Sequence, residues 1–486
     1  MNNVRRFLEY ASVAVVIILM AGFFAHGRLH PLSNYEQRVT TTFYCAGQVV
    51  NQHKDPYLTE PLRACENHYN LARKFPWVEP SPLPGYGLAV FGLLARLPFD
   101  IAKPLWFYLL IASVVVTAVI LAKLIKVPVL LTLLCLALVD GYLNLSLGEP
   151  PPFAVLFLVF AAALGANKRY IPAAMCASLA MFEPHLALPA CTAMFLWWSR
   201  TRVPFIITGL IFAGVSIVAI GLPANIEYLR AVLPVQALSE IAANDQYSLT
   251  RIVHLLGFSD KIALLAGSIS YFCMFVIGIL IAKRVAEVLL QPALVVLLPS
   301  ALALLGGTFV HDVEMGAAIP AVLILATSTR FALWLRVGMV LALVIPWDNV
   351  NYYIQIGVLE VGAIIAGVLI VVRNKPLNYR LGALCVGVVG SLAFAYILGK
   401  VPHTVVGPPT TITTMAIGPN DLVSANWAAN VSRDVNYSTP HLNDVVGKSP
   451  TWLGLLMIAW IGIYLTWTSL LHTWTKNLVK LKVRRI

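Results

Sequence analysis

Charge is what this sequence has least of. Only 12% of its 486 residues are Asp, Glu, Lys or Arg, 59% are hydrophobic, and mean hydropathy is +0.80. A soluble chain is about a quarter charged, so water is excluded as the main solvent. Cysteine is also sparse: seven residues, with no CxxC pair and no His/Cys cluster of the kind that holds zinc. No glycine-rich phosphate loop follows a strand pattern, which argues against a nucleotide-fuelled pump. No repeat of fixed period is visible, which argues against a transporter built from repeated halves. The net charge of +12 does not imply nucleic acid, because the basic residues lie in short clusters between apolar runs.

What is present is a series of apolar runs. They fall near 7–25, 103–122, 127–145, 150–166, 170–182, 185–199, 203–221, 262–282, 286–309, 315–329, 331–346, 354–372, 380–400 and 451–472. Each is close to the length that crosses a bilayer as a helix. Alternate gaps hold Lys123 and Lys126, Lys168 and Arg169, Arg200 and Arg202, Lys283 and Arg284, Arg330, and Arg373 with Lys375 and Arg380, and contain no Asp or Glu. With Arg5, Arg6 and the basic tail, these clusters predict that both termini are cytoplasmic. Of the acidic residues only Glu9, Asp140, Glu287 and Glu360 fall off the outer side of this map. The expected architecture is an all-α polytopic bundle of about 12–14 transmembrane helices. Residues 1–400 form its body, 401–450 an extracytoplasmic loop or small cap, and 451–486 a last span with a basic tail.

Three outer segments, 26–84, 222–260 and 401–450, are too long to be connectors. In the first, Glu36 precedes Phe43-Tyr44-Cys45-Ala46-Gly47 and Asp55-Pro56-Tyr57. A carboxylate there could take a proton from an acceptor hydroxyl, with Tyr44 and Trp77 lining a cavity; equally, Asp55-Pro56 is an ordinary turn and the aromatics pack an interface. Cys45 and Cys65 could be bridged in an oxidising compartment. Glu183-Pro184-His185 interrupts the apolar stretch 170–199, and a helix broken at membrane depth either lines a cavity or is simply kinked. Gly148-Glu149 ends the third span on the same side; Glu149 could bond a sugar hydroxyl or merely favour the next helix start. Asn244-Asp245-Gln246 precedes Ser248 and Arg251, whose guanidinium matches phosphate oxygens, although this could also be a capped helix start. His311 with Asp312 and Glu314 forms a last polar group, suited to contacting phosphate or satisfied within the bundle. One His and one Glu are too few for a metal site.

Taken in order, these pieces resemble the polyprenol-phosphate-sugar-dependent glycosyltransferases of the C superfamily, family 87, a group that includes mannosyltransferases. The resemblance rests on Phe43 to Gly47 with Asp55-Pro56-Tyr57, Pro84 to Phe99 with Leu105-Trp106, Leu147-Gly148-Glu149, the stretch around Glu183-Pro184, Asn244 to Leu249, and Phe309-Val310-His311. It implies a bacterial inner-membrane enzyme with its active site outside. Such an enzyme takes a sugar from a polyprenyl-phosphate donor to a glycolipid or polysaccharide acceptor, without metal or other cofactor and without nucleic acid. Where the family commonly has an acid shortly before the tyrosine, this chain has Val39-Thr40-Thr41, and Glu36 is the nearest acid. Glu183 and Glu149 stand where the family often has Lys and Gln. The resemblance therefore implies Glu36 as base with Glu183 and Glu149 behind it. His311, Arg251, His185, Asp55, Asn244 and Gln246 are then candidates for donor phosphate and substrate. A lipid or solute transporter, or a non-catalytic polyprenyl-lipid scaffold, would carry the same spans.

Overall fold

The computed structural model describes residues 37–69, 78–243, 245–347, 354–401, 421–431 and 442–483. The expected span 7–25, together with Glu36, Trp77 and Asn244, lies outside them. The described chain is helical, with no strand and two isolated antiparallel bridges, Leu58↔Leu422 and Gln246↔His311.

In chain order the helices are α1 (Arg38–Asn51), α2 (Thr59–His68), α3 (Gly85–Leu94), α4 (Phe99–Ile125), α5 (Val129–Leu147), α6 (Pro151–Ala166), α7 (Tyr170–Phe182), α8 (Pro184–Trp197) and α9 (Ser199–Ser239). They continue with α10 (Leu249–Leu255), α11 (Asp260–Leu289), α12 (Leu294–Ala303), α13 (Ile319–Thr327), α14 (Leu333–Val344), α15 (Ile354–Val372), α16 (Leu377–Leu398), α17 (Val423–Val431) and α18 (Leu442–Val483). Six of them are long and apolar enough to cross a membrane: α4, α5, α9, α11, α16 and the stretch Val445–Ser469 of α18. Shorter apolar helices, among them α6, α7, α12 and α14, are packed between them. The chain is thus all-α with transmembrane character. On α9, Val203, Leu210 and Val218 are 64%, 69% and 85% exposed, an apolar surface that suits lipid and would be costly in water.

Proline sets many of the boundaries. Pro184 opens α8 at its first position, where its missing N–H is not needed. The last turn of α7 tightens into a 3-10 turn, Ala180–Phe182, just before it. The span expected to end at 221 does kink there, since Gly221 has φ +77, but helix resumes at once and runs to Ser239. The segment 222–260, expected as a loop, is therefore largely helical. The last span likewise starts earlier than expected, at Leu442 instead of 451. Its first turns are fastened by Lys448, whose Nζ lies 3.0 Å from Gln246 O, and by Trp452 Nε1, which donates to Tyr247 O at 3.0 Å.

At one end of the bundle, α1 crosses α3 so closely that Gly47 touches the Phe91 carbonyl. Cys45 and Cys65 form a disulfide that ties α1 to α2. From the far end of the sequence, Asp421 O accepts from both N and Oγ1 of Thr59, and Ser424 Oγ bonds Gln236 Oε1 at 2.6 Å. Segments 26–84 and 401–450 thus meet each other and segment 222–260 at this end.

Candidate functional site

Beneath that junction lies a cavity of about 480 Å3. Three chain breaks bring polar groups to it: the α5–α6 turn, the α7–α8 break, and the non-helical run after α12. In the first, Gly148 takes φ +83 and a Cβ there would collide with Thr40. Trp106 Nε1 donates to Gly148 O at 2.9 Å, and Gln37 N donates to Ser146 O at 2.8 Å. This turn presents Glu149. At the second break Glu183, 8% exposed, precedes Pro184, and Tyr271 donates its hydroxyl to His185 O at 2.9 Å. In the third, residues 245–248 pair with 308–312. Tyr247 N donates to Val310 O at 2.6 Å, Val310 N to Gln246 Oε1 at 3.0 Å, and Asp312 N to Asp245 O at 3.2 Å.

That pairing presents His311 as the cap of the 3-10 turn Asp312–Ala318, with Glu314 bonded back to the His311 N–H at 3.2 Å. Around Glu314 the side chains form a chain of opposite charges. Glu314 Oε1 lies 3.1 Å from His185 Nε2 and 3.7 Å from His311 Nδ1. His311 Nε2 lies 3.1 Å from Glu240 Oε2, and His185 Nδ1 lies 3.8 Å from Glu183 Oε2. Burial pushes the Glu314 carboxyl up, but the two imidazoles outweigh it and hold it at about 2. Burial also opposes charge on His311, yet Glu240, Asp245 and Glu314 keep the ring protonated well above its ordinary range.

The other two acids behave in the opposite way. Burial, and then the negative charge of Glu183, push Glu149 up to about 8, against the pull of His311 and Arg38. Burial pushes Glu183 up to about 7; His185 offsets part of this and Glu314 adds to it. At neutral pH the site therefore holds an ionised Glu314, an imidazolium, a neutral Glu149 and a Glu183 poised between its two forms. This has a thermodynamic signature. Both acids are more protonated in the folded than in the unfolded chain, so stability falls as pH rises from about 4.5 to about 8. Glu149→Gln should then raise the melting temperature at pH 8 relative to the parent and leave it unchanged at pH 4, as measured by thermal unfolding in detergent.

The roof is built from Arg38 and Glu79, paired at 3.5 Å, with Trp427 of α17 also facing the cavity. Behind the pair, Glu66 accepts from Glu79 N and from Thr42 Oγ1, and burial together with the Glu79 charge raises its carboxyl well above the usual range.

Of the residues singled out in the sequence, Glu149, Glu183, His185, Asp245, His311, Asp312 and Glu314 line this one cavity. Four others do not. Arg251 is 4% exposed, does not line the cavity, and donates Nη1 to Ile241 O at 2.7 Å, supporting the backbone there. Asp55 accepts from Tyr57 N at 2.9 Å, which is the turn its neighbouring proline favours. Tyr44 is 2% exposed, packed edge-on against Tyr69 and Phe99, and bonded to Leu97 O at 2.8 Å. Gln246 is 1% exposed and holds the His311 segment in place without lining the cavity. Sequence reasoning passed over Arg38, Glu79, Glu240 and Trp427, which come from three different segments and carry no local motif. Among the described residues no group of three His, Cys, Asp or Glu side chains is arranged to hold a metal ion.

Comparison with protein-family models, curated proteins and solved structures returns no match.

Proposed function

We propose that this protein is an integral-membrane glycosyltransferase of the C-superfamily type, with the cavity at the outer end of its bundle. It would transfer a sugar from a polyprenyl phosphate to a hydroxyl of a glycolipid or polysaccharide. The observation that carries the reading is one cavity holding both a carboxyl poised near pH 7, Glu183, and an imidazole, His311, whose acidic neighbours keep it protonated well above its ordinary range. A general base works best with a pKa near the working pH, and a fixed cation stabilises charge as it develops on a leaving phosphate. In this mechanism the acceptor oxygen attacks the anomeric carbon as the bond from that carbon to the phosphate oxygen breaks. The hydroxyl proton passes to Glu183, and the phosphate leaves with its electron pair toward His311. Glu149, neutral at pH 7, donates a hydrogen bond to a sugar oxygen. Apolar wall residues such as Phe43, Leu147 and Leu304 suit the first isoprene units. Glu36 stays a candidate base by its place before Phe43-Tyr44 in the sequence.

The test is incubation of purified protein with a panel of polyprenyl-phosphate sugars and a lipid extract, read by mass spectrometry. Release of polyprenyl phosphate together with a sugar-extended product is expected for one donor. Binding without turnover would favour the scaffold reading. A second reading, transport, is favoured by two acids inside apolar helices, Asp140 and Glu360, 0% and 7% exposed. Donor-independent flux of a labelled lipid or solute in proteoliposomes would select it.

A further inference from the structure

One acid lies away from the cavity and has no partner. Asp140 is 0% exposed, and neither of its carboxylate oxygens has a hydrogen-bond partner. It sits in a π-helical bulge, Ala137–Leu143, within α5. Such bulges are rare and concentrate at functional sites. Asn144, also 0% exposed, donates its amide to Val139 O at 3.0 Å and to Val313 O at 2.9 Å, which leaves its own Oδ1 without a partner. Both side chains face the turn Asp312–Ala318. Asp140 is packed so tightly on Gly316 that a Cβ there would come within 2.8 Å of Oδ1.

Three acceptor oxygens without a hydrogen-bond partner are therefore enclosed inside an apolar helix bundle. A carboxylate so placed is costly unless its charge is compensated. A positive charge supplies that compensation. With one carboxylate at the site, a single positive charge makes it neutral. We propose that Asp140, with Asn144 Oδ1, binds one monovalent cation, a proton or a sodium ion, inside the membrane.

The surrounding groups do not supply that charge. The turn carries Asp312 and Glu314, and Glu314 is engaged by His185 and His311. On α15 the titratable group is Glu360, whose Oε1 also has no partner. α5 itself adds Cys135 and Tyr142, and α6 carries no titratable residue. On α4, Asp100, Tyr108 and Lys123 are exposed and Lys103 is half-buried over Phe99. Because Gly316 and Glu314 share one turn, the ion lies directly behind the wall that carries Glu314 into the cavity.

The experiment compares the wild type with Asp140→Asn in detergent. Thermal midpoints are measured between about pH 5 and pH 8, in sodium or choline chloride at equal ionic strength. Glu149 and Glu183 give both proteins some stability toward low pH; the wild type should gain more than the variant does, or should gain with sodium but not choline where the variant does not. A wild-type excess toward low pH alone identifies the proton, and a wild-type excess with sodium identifies the metal ion. Identical responses in the two proteins overturn the proposal. A second measurement needs no variant. Dicyclohexylcarbodiimide adds to a protonated buried carboxyl, whose O–H proton moves to nitrogen as the C–O bond forms; acyl migration then leaves a stable N-acylurea with nothing released. The adduct should map to Asp140, and its rate should fall about tenfold per pH unit above half-protonation or be suppressed by sodium. Labelling of Glu360 with no adduct at Asp140 at any pH, with or without sodium, overturns the proposal.

Discussion

Glu183→Gln should lower turnover by a factor of about 10²–10⁴, the usual contribution of a positioned general base, with much less effect on donor binding. Glutamine keeps the volume and the hydrogen-bonding oxygen but cannot take a proton. The break before Pro184 fixes the side chain by backbone geometry, so the substitution should not rearrange the site. The pH profile is the decisive measurement. On the proposed function a base must be deprotonated to act, so kcat/KM of the parent protein should rise with pH through about 7, where burial places Glu183. It should fall again at higher pH, as His311 loses the proton that Glu240, Asp245 and Glu314 help it to keep. In the variant the rising limb should vanish while the falling limb survives. A tenfold or smaller loss with an unchanged rising limb would move the base to Glu36 or Glu149, and the corresponding Gln variants would then be compared in the same assay.

The second large effect concerns stability. Glu314→Gln should destabilise the fold by about 3 kcal/mol or more, as expected when one member of a buried ionic group is removed. Glu314 is 5% exposed and faces two imidazoles; a neutral amide would leave His185 and His311 competing for Glu183 and Glu240. The pH dependence distinguishes this from a packing defect. The depressed carboxyl contributes stability above its unfolded value near 4.5 and loses it as pH falls through about 2. The raised imidazole of His311 contributes below its unfolded value near 6.5 and loses that contribution as pH rises through its folded value. The deficit of Glu314→Gln should therefore be greatest between about 4.5 and 6.5 and shrink on either side. A deficit constant from pH 3 to pH 9 in thermal unfolding would count against the ionic account.

Much of this was legible in the chain because the signals were local. Glu183-Pro184 announces a helix break through the ring of Pro184, and Gly148 announces a turn that no side chain fits. Cys45 and Cys65 were the two cysteines set apart in one outer segment. The direction of a side chain is a different matter. Arg251, Asp55 and Tyr44 have chemistry that suits a sugar phosphate, and each is instead used by the backbone or core next to it. Nothing in sequence spacing separates those two fates. Glu240, Glu79, Arg38 and Trp427 were illegible for another reason: their meaning comes from partners in distant segments. Glu240 faces His311 across seventy-one positions, and such a pair has no periodicity to read. The helical continuation past Gly221 was missed because Pro223 and the polar residues after it look like a loop, although Pro is well tolerated in a first turn.

The joint between Thr59 and Asp421 spans 362 residues of sequence, and it has a consequence for biosynthesis. A ribosome adding about 5–20 residues per second needs about 20–70 s to make the stretch between them. Throughout that interval Thr59 waits for its counterpart, and the space beneath that joint cannot be closed. A nascent chain therefore cannot close the cavity until Asp421 has been made, and a truncation before Asp421 would leave Glu149, Glu183 and Glu314 without that joint above them.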